Sequence, residues 1–313
     1  MFREKIKVLD CTIRDGGLIN NHYFTDEFVR AVYKAVSEAG IDYIEMGYRS
    51  CRSFAPESDY GPWKYCDDEK ISRIIDGIES TTKISIMVDA HRVKDQQFKP
   101  VDQSPVDMIR VATYVKDIDK AIAMLNIAHD LGYETTVNIM AISAEIEKDL
   151  VEALEQLAET PVQVVYVVDS FGYFYCEQIE HIVKLYRKLL PGKEIGIHCH
   201  NNQQLAFANT IEGIIHDANY VDGSLYGIGR GAGNCPLELV MGFLKNPKFR
   251  LEPILKVIED YMLPMRKELE WGYMIPYVIT GILNEHPRAA IAMRKTKDKD
   301  KYAEFYEQIR DVM

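Results

Sequence analysis

The sequence of 313 residues contains no apolar run that approaches the roughly 20 residues needed to cross a bilayer. Its opening residues lead directly into a strand-like segment at Ile6, without a long apolar region or a small-residue cleavage site, so we expect no signal peptide. The six cysteines form no CxxC pair, and their wide spacing favours reduced thiols over a disulfide framework. These absences predict a cytoplasmic protein that has no membrane partner.

Basic patches are scarce as well. With 37 Lys and Arg against 48 Asp and Glu, the formal net charge is -11, so the chain lacks the electrostatic footprint of a nucleic-acid-binding protein. The one basic cluster, Arg294 to Lys301, is interrupted by Asp298 and Asp300 and is typical of a solvated loop. The remaining composition, 47% hydrophobic and 27% charged, is that of a folded globular protein.

Short apolar or β-branched segments recur about every 30 residues, the length of one strand-plus-helix unit. The eight strand candidates are Ile6 to Cys11, Tyr43 to Met46, Ile84 to Val88, Met108 to Ala112, Thr136 to Ile142, Val162 to Val168, Ile195 to His198 and Tyr220 to Leu225. Amphipathic stretches separate most of them, among them Asp26 to Ala39, Asp117 to Leu131, Ala144 to Ala158, Cys176 to Leu189 and Gln203 to Asp217. Because the first strand opens no GxGxxG turn and the strand count is right, the pattern predicts an α/β fold, a closed TIM (β/α)8 barrel.

The barrel is expected to occupy residues 1–250. Residues 251–313 contain helical patterns without clear strands, at Glu252 to Lys267, Tyr273 to Leu283 and Lys301 to Met313. They are therefore interpreted as a C-terminal helical extension. The longest segment without an assigned element, Arg49 to Asp68, follows the second strand and is predicted to act as an active-site lid.

Two histidines, His198 and His200, stand at the end of the seventh strand candidate. A period of two places both imidazoles on one face of the strand. A shared cation is the simplest partner for both rings, although buried histidines also commonly hydrogen-bond to their neighbours. The pair is thus a candidate metal site.

The first strand ends in the segment CTIRDGG, which supplies Arg14 and Asp15. One carboxylate and two imidazoles form a ligand set for Mn²⁺ or Mg²⁺ that leaves positions open for a chelating substrate. Arg14 beside the metal would stabilise a developing enolate oxygen or clamp a carboxylate. The alternative is a structural ion pair at the strand end.

A glycine-rich loop, GIGRGAGN, follows the eighth strand. Its backbone N–H groups at Gly229, Arg230 and Gly231 are candidates for holding a carboxylate or phosphate, and Asn234 for a further oxygen ligand to the metal. Taken alone, such a loop is equally typical of a simple turn. In a closed barrel, however, the first, seventh and eighth strands lie side by side, so the three motifs should converge on one site.

The three motifs LDCTIRDGG, IGIHCHNN with the following LAFANT, and VDGSLYGIGRGAGNCPLE, in this order, resemble the DRE-TIM metallolyases. This family includes 4-hydroxy-2-oxovalerate aldolase, hydroxymethylglutaryl-CoA lyase, and the isopropylmalate and homocitrate synthases. The resemblance implies that Asp15, His198 and His200 bind the cation, that Arg14 stabilises the enolate, and that Asn234 lies in or beside the coordination shell.

Within the family the chain is most similar to the aldolase branch, because of its glycine-rich loop and the Asp169-Ser170 pair that ends the sixth strand. This likeness implies cleavage of a 4-hydroxy-2-oxo acid to pyruvate, or a related 2-oxo acid, and an aldehyde, by way of a metal-bound enolate. The tail segment around Tyr273 is similar to the aldolase tail, where a tyrosine reaches the site; packing of Tyr273 against the barrel is the alternative. Whether the helical extension docks a dehydrogenase or forms a homodimer is left open.

Two departures from the family pattern concern the residue that moves a proton. Leu18 stands where characterised aldolases have a histidine base, and Gly17 stands where the acyl-CoA synthases have a glutamate. His22 is a candidate replacement base, with a surface histidine as the alternative. Acyl-CoA lysis or Claisen-type condensation, and a non-catalytic metal-binding barrel subunit, therefore remain alternative functions.

Further polar residues interrupt the apolar strands. Glu45 either lines the site as a catalytic carboxylate or pairs with a buried cation such as Arg14 or Arg110. Asn138 and Asp169, together with Ser170, are candidates for binding the substrate or for orienting the groups that do.

Overall fold

The computed structural model describes residues 3–92 and 98–310. Within these residues eight parallel strands pair in chain order and β8 closes the ring by pairing with β1, so the predicted barrel is confirmed. The strands are β1 (Lys7–Asp10), β2 (Tyr43–Tyr48), β3 (Lys83–Asp89), β4 (Met108–Thr113), β5 (Glu134–Ile139), β6 (Val164–Asp169), β7 (Glu194–Cys199) and β8 (Tyr220–Gly223). Every strand lies within two or three residues of its predicted position.

Helices follow the strands, and the longer ones cover the outside of the barrel. They are α1 (Thr12–Gly16), α2 (Asp26–Glu38), α3 (Asp68–Ile75), α4 (Ile118–Asp130), α5 (Glu147–Ala158), α6 (Cys176–Leu189), α7 (Ala206–Ile215) and α8 (Leu237–Leu244). Helix α2 shows how the sequence sets such an element: the Thr25 hydroxyl accepts a hydrogen bond from the Phe28 N–H and begins the helix, and its apolar face is buried. Helices α3 and α8 were not expected, because eight residues give little more than two turns of periodicity.

The C-terminal segment is helical, as predicted. It comprises α9 (Leu251–Val257), a π-helical turn (Ile258–Met262), α10 (Leu263–Met265), α11 (Ile275–Ile282), α12 (Arg288–Arg294) and α13 (Tyr302–Arg310). Residues 311–313 of the last predicted helix lie outside the described residues. No helix in the described ranges is long and apolar enough to span a membrane. The six cysteines, all within these ranges, form no disulfide bond.

The apolar core continues beyond the predicted boundary at residue 250. Ile254, Met262 and Trp271 belong to the same buried cluster as the barrel and its helices. A second cluster joins Tyr277 and Phe305 of the extension to Ala232 in the loop after β8. The division at residue 250 stays a prediction.

The barrel interior contains an ionic layer in place of a purely apolar one. Arg110 of β4 lies 3.1 Å from the Glu45 carboxylate of β2 and 2.6 Å from that of Asp222 of β8. Its guanidinium also stacks over the Tyr166 ring, 4.5 Å from the centroid. All four side chains are buried. This layer fixes the strands whose ends carry the site.

Candidate metal centre

Asp15, His198 and His200 meet at the carboxyl end of the barrel. All three are buried, and each offers one ligand atom within 4.8 Å of the other two. The Asp15 Oδ2 lies 3.5 Å from His198 Nε2, and the two imidazoles meet edge to face with their centroids 5.1 Å apart. The structure thus brings together the three side chains that the sequence motifs single out.

Tight turns at the strand ends place these ligands. The chain leaves β1 straight into α1, which carries Arg14 and Asp15. The Thr12 hydroxyl donates to Asp10 and accepts from the Leu225 N–H at 2.8 Å, which ties the end of β1 to the end of β8. His200 pairs with Asn234 in an isolated bridge, which draws the glycine-rich loop over β7.

Asp222 orients the imidazole of His198 from the side of the ring that faces away from Asp15. Its Oδ2 lies 2.9 Å from His198 Nδ1, so Nδ1 donates to Asp222 and the ring turns Nε2, the nitrogen that would bind a cation, towards Asp15. Asp222 is in turn held by Arg110. The sequence analysis missed Asp222, although its signal was the one used for Glu45: a single carboxylate in an apolar strand.

The charges of the ligands suit a cation. Burial opposes ionisation of Asp15, but the Arg14 guanidinium and the two histidines hold the pKa of Asp15 well below its usual range. Burial lowers the pKa of His200 well below its usual value, so that ring is neutral. An ionised carboxylate and a neutral imidazole are the forms that bind metals.

Asn234 offers a side-chain oxygen that also suits a bound cation. Its Nδ2 donates to the Ile228 carbonyl at 3.0 Å, while its Oδ1 is buried and has no hydrogen-bond partner in the described chain. A Cβ at Gly229 would lie 2.3 Å from Asn234 Nδ2 and 3.0 Å from Asp15 Oδ1. One carboxylate, two imidazoles and an unpaired amide oxygen are a donor set that fits Mn²⁺ or Mg²⁺.

A cavity with about 560 Å³ of empty space, its open mouth included, extends from the ligands. Predicted residues on its wall are Arg14, Asp15, Asn138, Ser170, His198, His200 and Arg230; Tyr48, Met140, Phe171 and His286 are among those that the sequence analysis did not single out.

Glu45 and Asp169 lie behind this wall. Glu45 Oε2 accepts from Arg14 Nε at 2.7 Å and from Arg110 at 3.1 Å. The expectation that Glu45 lines the site is therefore wrong, and the alternative of a buried ion pair is confirmed. Asp169 accepts a hydrogen bond from the Tyr173 N–H at 2.9 Å, so it shapes the loop after β6 and does not face the cavity.

His22 and Tyr273 are both placed differently from the sequence expectations. His22 is 1% exposed, with its ring edge-on to Tyr48 at 5.5 Å, so the alternative of a surface histidine is wrong. Tyr273 is 60% exposed and is not on the cavity wall, so it neither reaches the site nor packs in the interior. The extension contributes His286 to the cavity instead.

The segment 49–68 is folded against the barrel beside the cavity. Trp63 is buried and donates from its indole N–H to the Phe24 carbonyl at 3.1 Å. The Lys64 ammonium lies over the ring of the cavity residue Tyr48, 4.1 Å from its centroid. The role of this segment as a lid stays a prediction.

Known proteins resemble this chain over most of its length. A family model described as HMGL-like matches residues 5–259. 4-Hydroxy-2-oxovalerate aldolase 3 from Rhodococcus jostii is 31% identical over 76% of this chain and 70% of its own. Oxaloacetate decarboxylase from Mycobacterium tuberculosis is 30% identical over 78% of this chain and 70% of its own.

Solved structures of related proteins have the same fold. The N-terminal domain of a putative aldolase from Bacteroides vulgatus has a TM-score of 0.79 at 28% identity and covers 95% of this chain and 100% of that domain. The Bacillus subtilis HMG-CoA lyase has a TM-score of 0.67 at 15% identity, covers 85% of this chain and 94% of that one, and supports the fold alone.

Proposed function

The chain belongs to the HMGL-like family, and we propose that it is a divalent-metal-dependent aldolase that cleaves a 4-hydroxy-2-oxo acid to pyruvate, or a related 2-oxo acid, and an aldehyde. The observation that carries this proposal is the buried trio of Asp15, His198 and His200 on the wall of a cavity that also presents Arg14. Relatives that are named 4-hydroxy-2-oxovalerate aldolase support the reaction class.

Asp15, His198 and His200 would hold Mn²⁺ or Mg²⁺, with Asn234 Oδ1 as a further oxygen ligand. When bound, the cation supplies a Lewis acid for the oxygens of a 2-oxo acid. Arg14 is anchored by Glu45 and Asp15, so its guanidinium is oriented before substrate arrives. It stabilises the negative charge that develops on the pyruvate half as the bond between C3 and C4 breaks.

The cavity disfavours two other routes. A Schiff-base aldolase requires a lysine in its active site. The cavity wall, as far as the described residues form it, contains no lysine side chain. Gly17 cannot be replaced by the glutamate of the acyl-CoA synthases without moving His22, since even a Cβ would lie 2.1 Å from His22 Nδ1. This position therefore lacks the carboxylate of the synthases, which disfavours Claisen-type condensation.

The test is to load the protein with Mn²⁺, incubate it with a panel of 4-hydroxy-2-oxo acids and assay pyruvate. We expect release that is abolished by a chelator and by Asp15→Asn. A matched control is Asp217→Asn, whose carboxylate is 72% exposed and should leave the rate unchanged.

The other outcomes point to the alternatives. Absence of pyruvate with the whole panel, together with thiol release from an acyl-CoA and a 2-oxo acid, would establish acyl-CoA chemistry. Metal binding without turnover in either assay would favour a non-catalytic subunit. A homodimer or dehydrogenase contact through the helical extension, and a cytoplasmic location, stay predictions.

A further inference from the structure

Arg230 and His286 meet inside the cavity from two different parts of the chain. Arg230 comes from the loop after β8, and its Nη2 donates to the Ser170 carbonyl at 3.2 Å, so the guanidinium lies over the end of β6. His286 comes from the turn between α11 and α12. Its Nε2 is 3.1 Å from Arg230 Nη1. Arg230 Nε is buried without a hydrogen-bond partner in the described chain.

The contact between these two side chains lacks an acceptor. His286 Nδ1 lies 3.1 Å from the Arg288 N–H, from which it accepts a hydrogen bond. A neutral imidazole has one acceptor nitrogen, so Nε2 then carries the hydrogen and points at a guanidinium that only donates. The other tautomer satisfies Arg230 but turns Nδ1–H against the Arg288 N–H. Either way, two donors face each other.

Protonation would not relieve this conflict. An imidazolium donates from both nitrogens and adds a second positive charge beside Arg230. Burial and the Arg230 charge lower the pKa of His286 to about 4, so the ring is neutral at physiological pH. The described residues provide no carboxylate in ion-pair contact with the Arg230 guanidinium, whose bonds are to the Ser170 carbonyl and His286. An acceptor that carries negative charge is missing at this point of the cavity.

We propose that Arg230 and His286 bind a second carboxylate, on the aldehyde half of the substrate, so that the preferred substrate is a 4-hydroxy-2-oxo diacid. The inference rests on the aldolase function proposed above. A guanidinium N–H and an imidazole N–H side by side match the two oxygens of one carboxylate, and the negative charge compensates the half-buried guanidinium. The first carboxylate and the 2-oxo oxygen belong at the other part of the cavity, beside Asp15 and the two histidine ligands.

The helical extension holds the subsite in place. The Tyr277 ring packs on Gly231, where a Cβ would lie 3.2 Å from it and where φ is +61°. Asn284 donates to the Ser143 carbonyl at 2.7 Å and accepts from the Ser143 hydroxyl at 2.6 Å. The His286 ring stands edge-on to Phe171 at 5.8 Å. The two donors are therefore oriented before the ligand arrives.

The first test measures binding without turnover. Neither 2-oxoglutarate nor 2-oxovalerate has a 4-hydroxyl group, and the two differ only in a terminal carboxylate against a methyl group. With the Mn²⁺-loaded protein in a calorimeter, we expect 2-oxoglutarate to bind at least about tenfold more tightly, since hydrogen bonds between charged groups are stronger than those between neutral groups. Arg230→Gln and His286→Phe should each remove that preference, by weakening the binding of 2-oxoglutarate more than that of 2-oxovalerate.

The second test measures cleavage of the matching pair, 4-hydroxy-2-oxoglutarate and 4-hydroxy-2-oxovalerate. In each, the hydroxyl proton leaves, the C3–C4 bond breaks, and C3 takes up a proton to give pyruvate beside glyoxylate or acetaldehyde. We expect kcat/KM to favour the diacid in the wild type and the ratio to fall at least about tenfold in Arg230→Gln. Arg288→Gln keeps its backbone N–H and an exposed side chain, and it serves as the matched control.

The outcomes separate this inference from the function on which it rests. Equal binding and equal kcat/KM for each pair in the wild type would overturn the second-carboxylate subsite. So would an equal loss on both substrates in Arg230→Gln, because it would place Arg230 on the carboxylate that all 2-oxo acids share. Absence of pyruvate from both substrates, with the binding preference intact, would instead overturn the aldolase.

Discussion

The contact of Asp222 with His198 allows the proposed metal centre to be tested with a single substitution. Asp222 is not itself on the cavity wall; it acts through the imidazole of His198, which is. We predict that Asp222→Asn lowers Mn²⁺ affinity by about 10- to 100-fold, which is typical for partners of metal-binding histidines. Calorimetric titration of the metal-free protein with Mn²⁺ measures this affinity.

The control for Asp222→Asn is Asp130→Asn, at the exposed end of α4. If both variants bind Mn²⁺ as tightly as the wild type, Asp222 contributes only to the barrel. An equal loss of affinity in both would mean that net charge, and not orientation of the ring, is responsible.

The buried His22 is expected to make the stability of the protein depend on pH. Burial, together with the positive charges of Lys64 and Arg14, lowers the pKa of His22 from 6.5 to about 3. Between these values the unfolded chain binds a proton that the folded chain does not, so stability is lost as the pH falls from about 6.5 towards 3. At 1.36 kcal/mol per pKa unit, the loss is at most about 5 kcal/mol.

Urea unfolding of wild type and His22→Gln between pH 4 and 7 measures this effect. The difference in the free energy of unfolding between the two should change by several kcal/mol over the range, with the wild type losing more at low pH. Comparison with the variant removes the opposite contribution of Asp10, whose pKa burial raises to about 7 and which destabilises the fold as the pH rises. A constant difference would contradict the assignment of His22 as a buried neutral histidine.

At the scale of single elements, the strands and long helices were predictable because each repeats one pattern along the chain. The apolar or β-branched runs of the strands and the amphipathic 13-residue helix α2 are examples. Short helices such as α3 were missed for lack of periodicity. The contacts of Glu45 were open for a different reason. Its partners Arg14 and Arg110 lie 31 and 65 residues away along the chain, and only the register of the closed barrel brings both to it.

The ionic layer of the barrel is expected to contribute to the stability of the fold through Arg110. Arg110→Met would leave Asp222 without its cation and Glu45 with Arg14 alone. Removal of one partner from a buried ion pair costs about 3–5 kcal/mol, so we expect a loss of that size in the free energy of unfolding. The double variant Arg110→Met with Glu45→Gln should lose less than the sum of the two single losses. Additive losses would show that the pair is not coupled.

At the scale of the whole molecule, the metal ligands come from the barrel, whereas one wall of the cavity comes from the extension. Sequence motifs predicted the first part, because three neighbouring strand ends carry them. They did not predict the second, because the place of His286 depends on how the extension docks. That docking requires Gly281, where a Cβ would lie 2.8 Å from Asn202 Cβ and 3.1 Å from Gln203 Cγ.

Gly281→Val should therefore loosen the extension without disturbing the barrel. We expect the amides of residues 275–310 to lose hydrogen-exchange protection by roughly tenfold or more, the effect of about 1–3 kcal/mol of overpacking, while β1 to β8 keep theirs. Because His286 moves with the extension and the ligands do not, the preference for 2-oxoglutarate should disappear and Mn²⁺ affinity should persist. Ile282→Ala, one residue on and 51% exposed, should change neither. Loss of Mn²⁺ affinity in Gly281→Val would mean that the extension also holds the metal ligands in place.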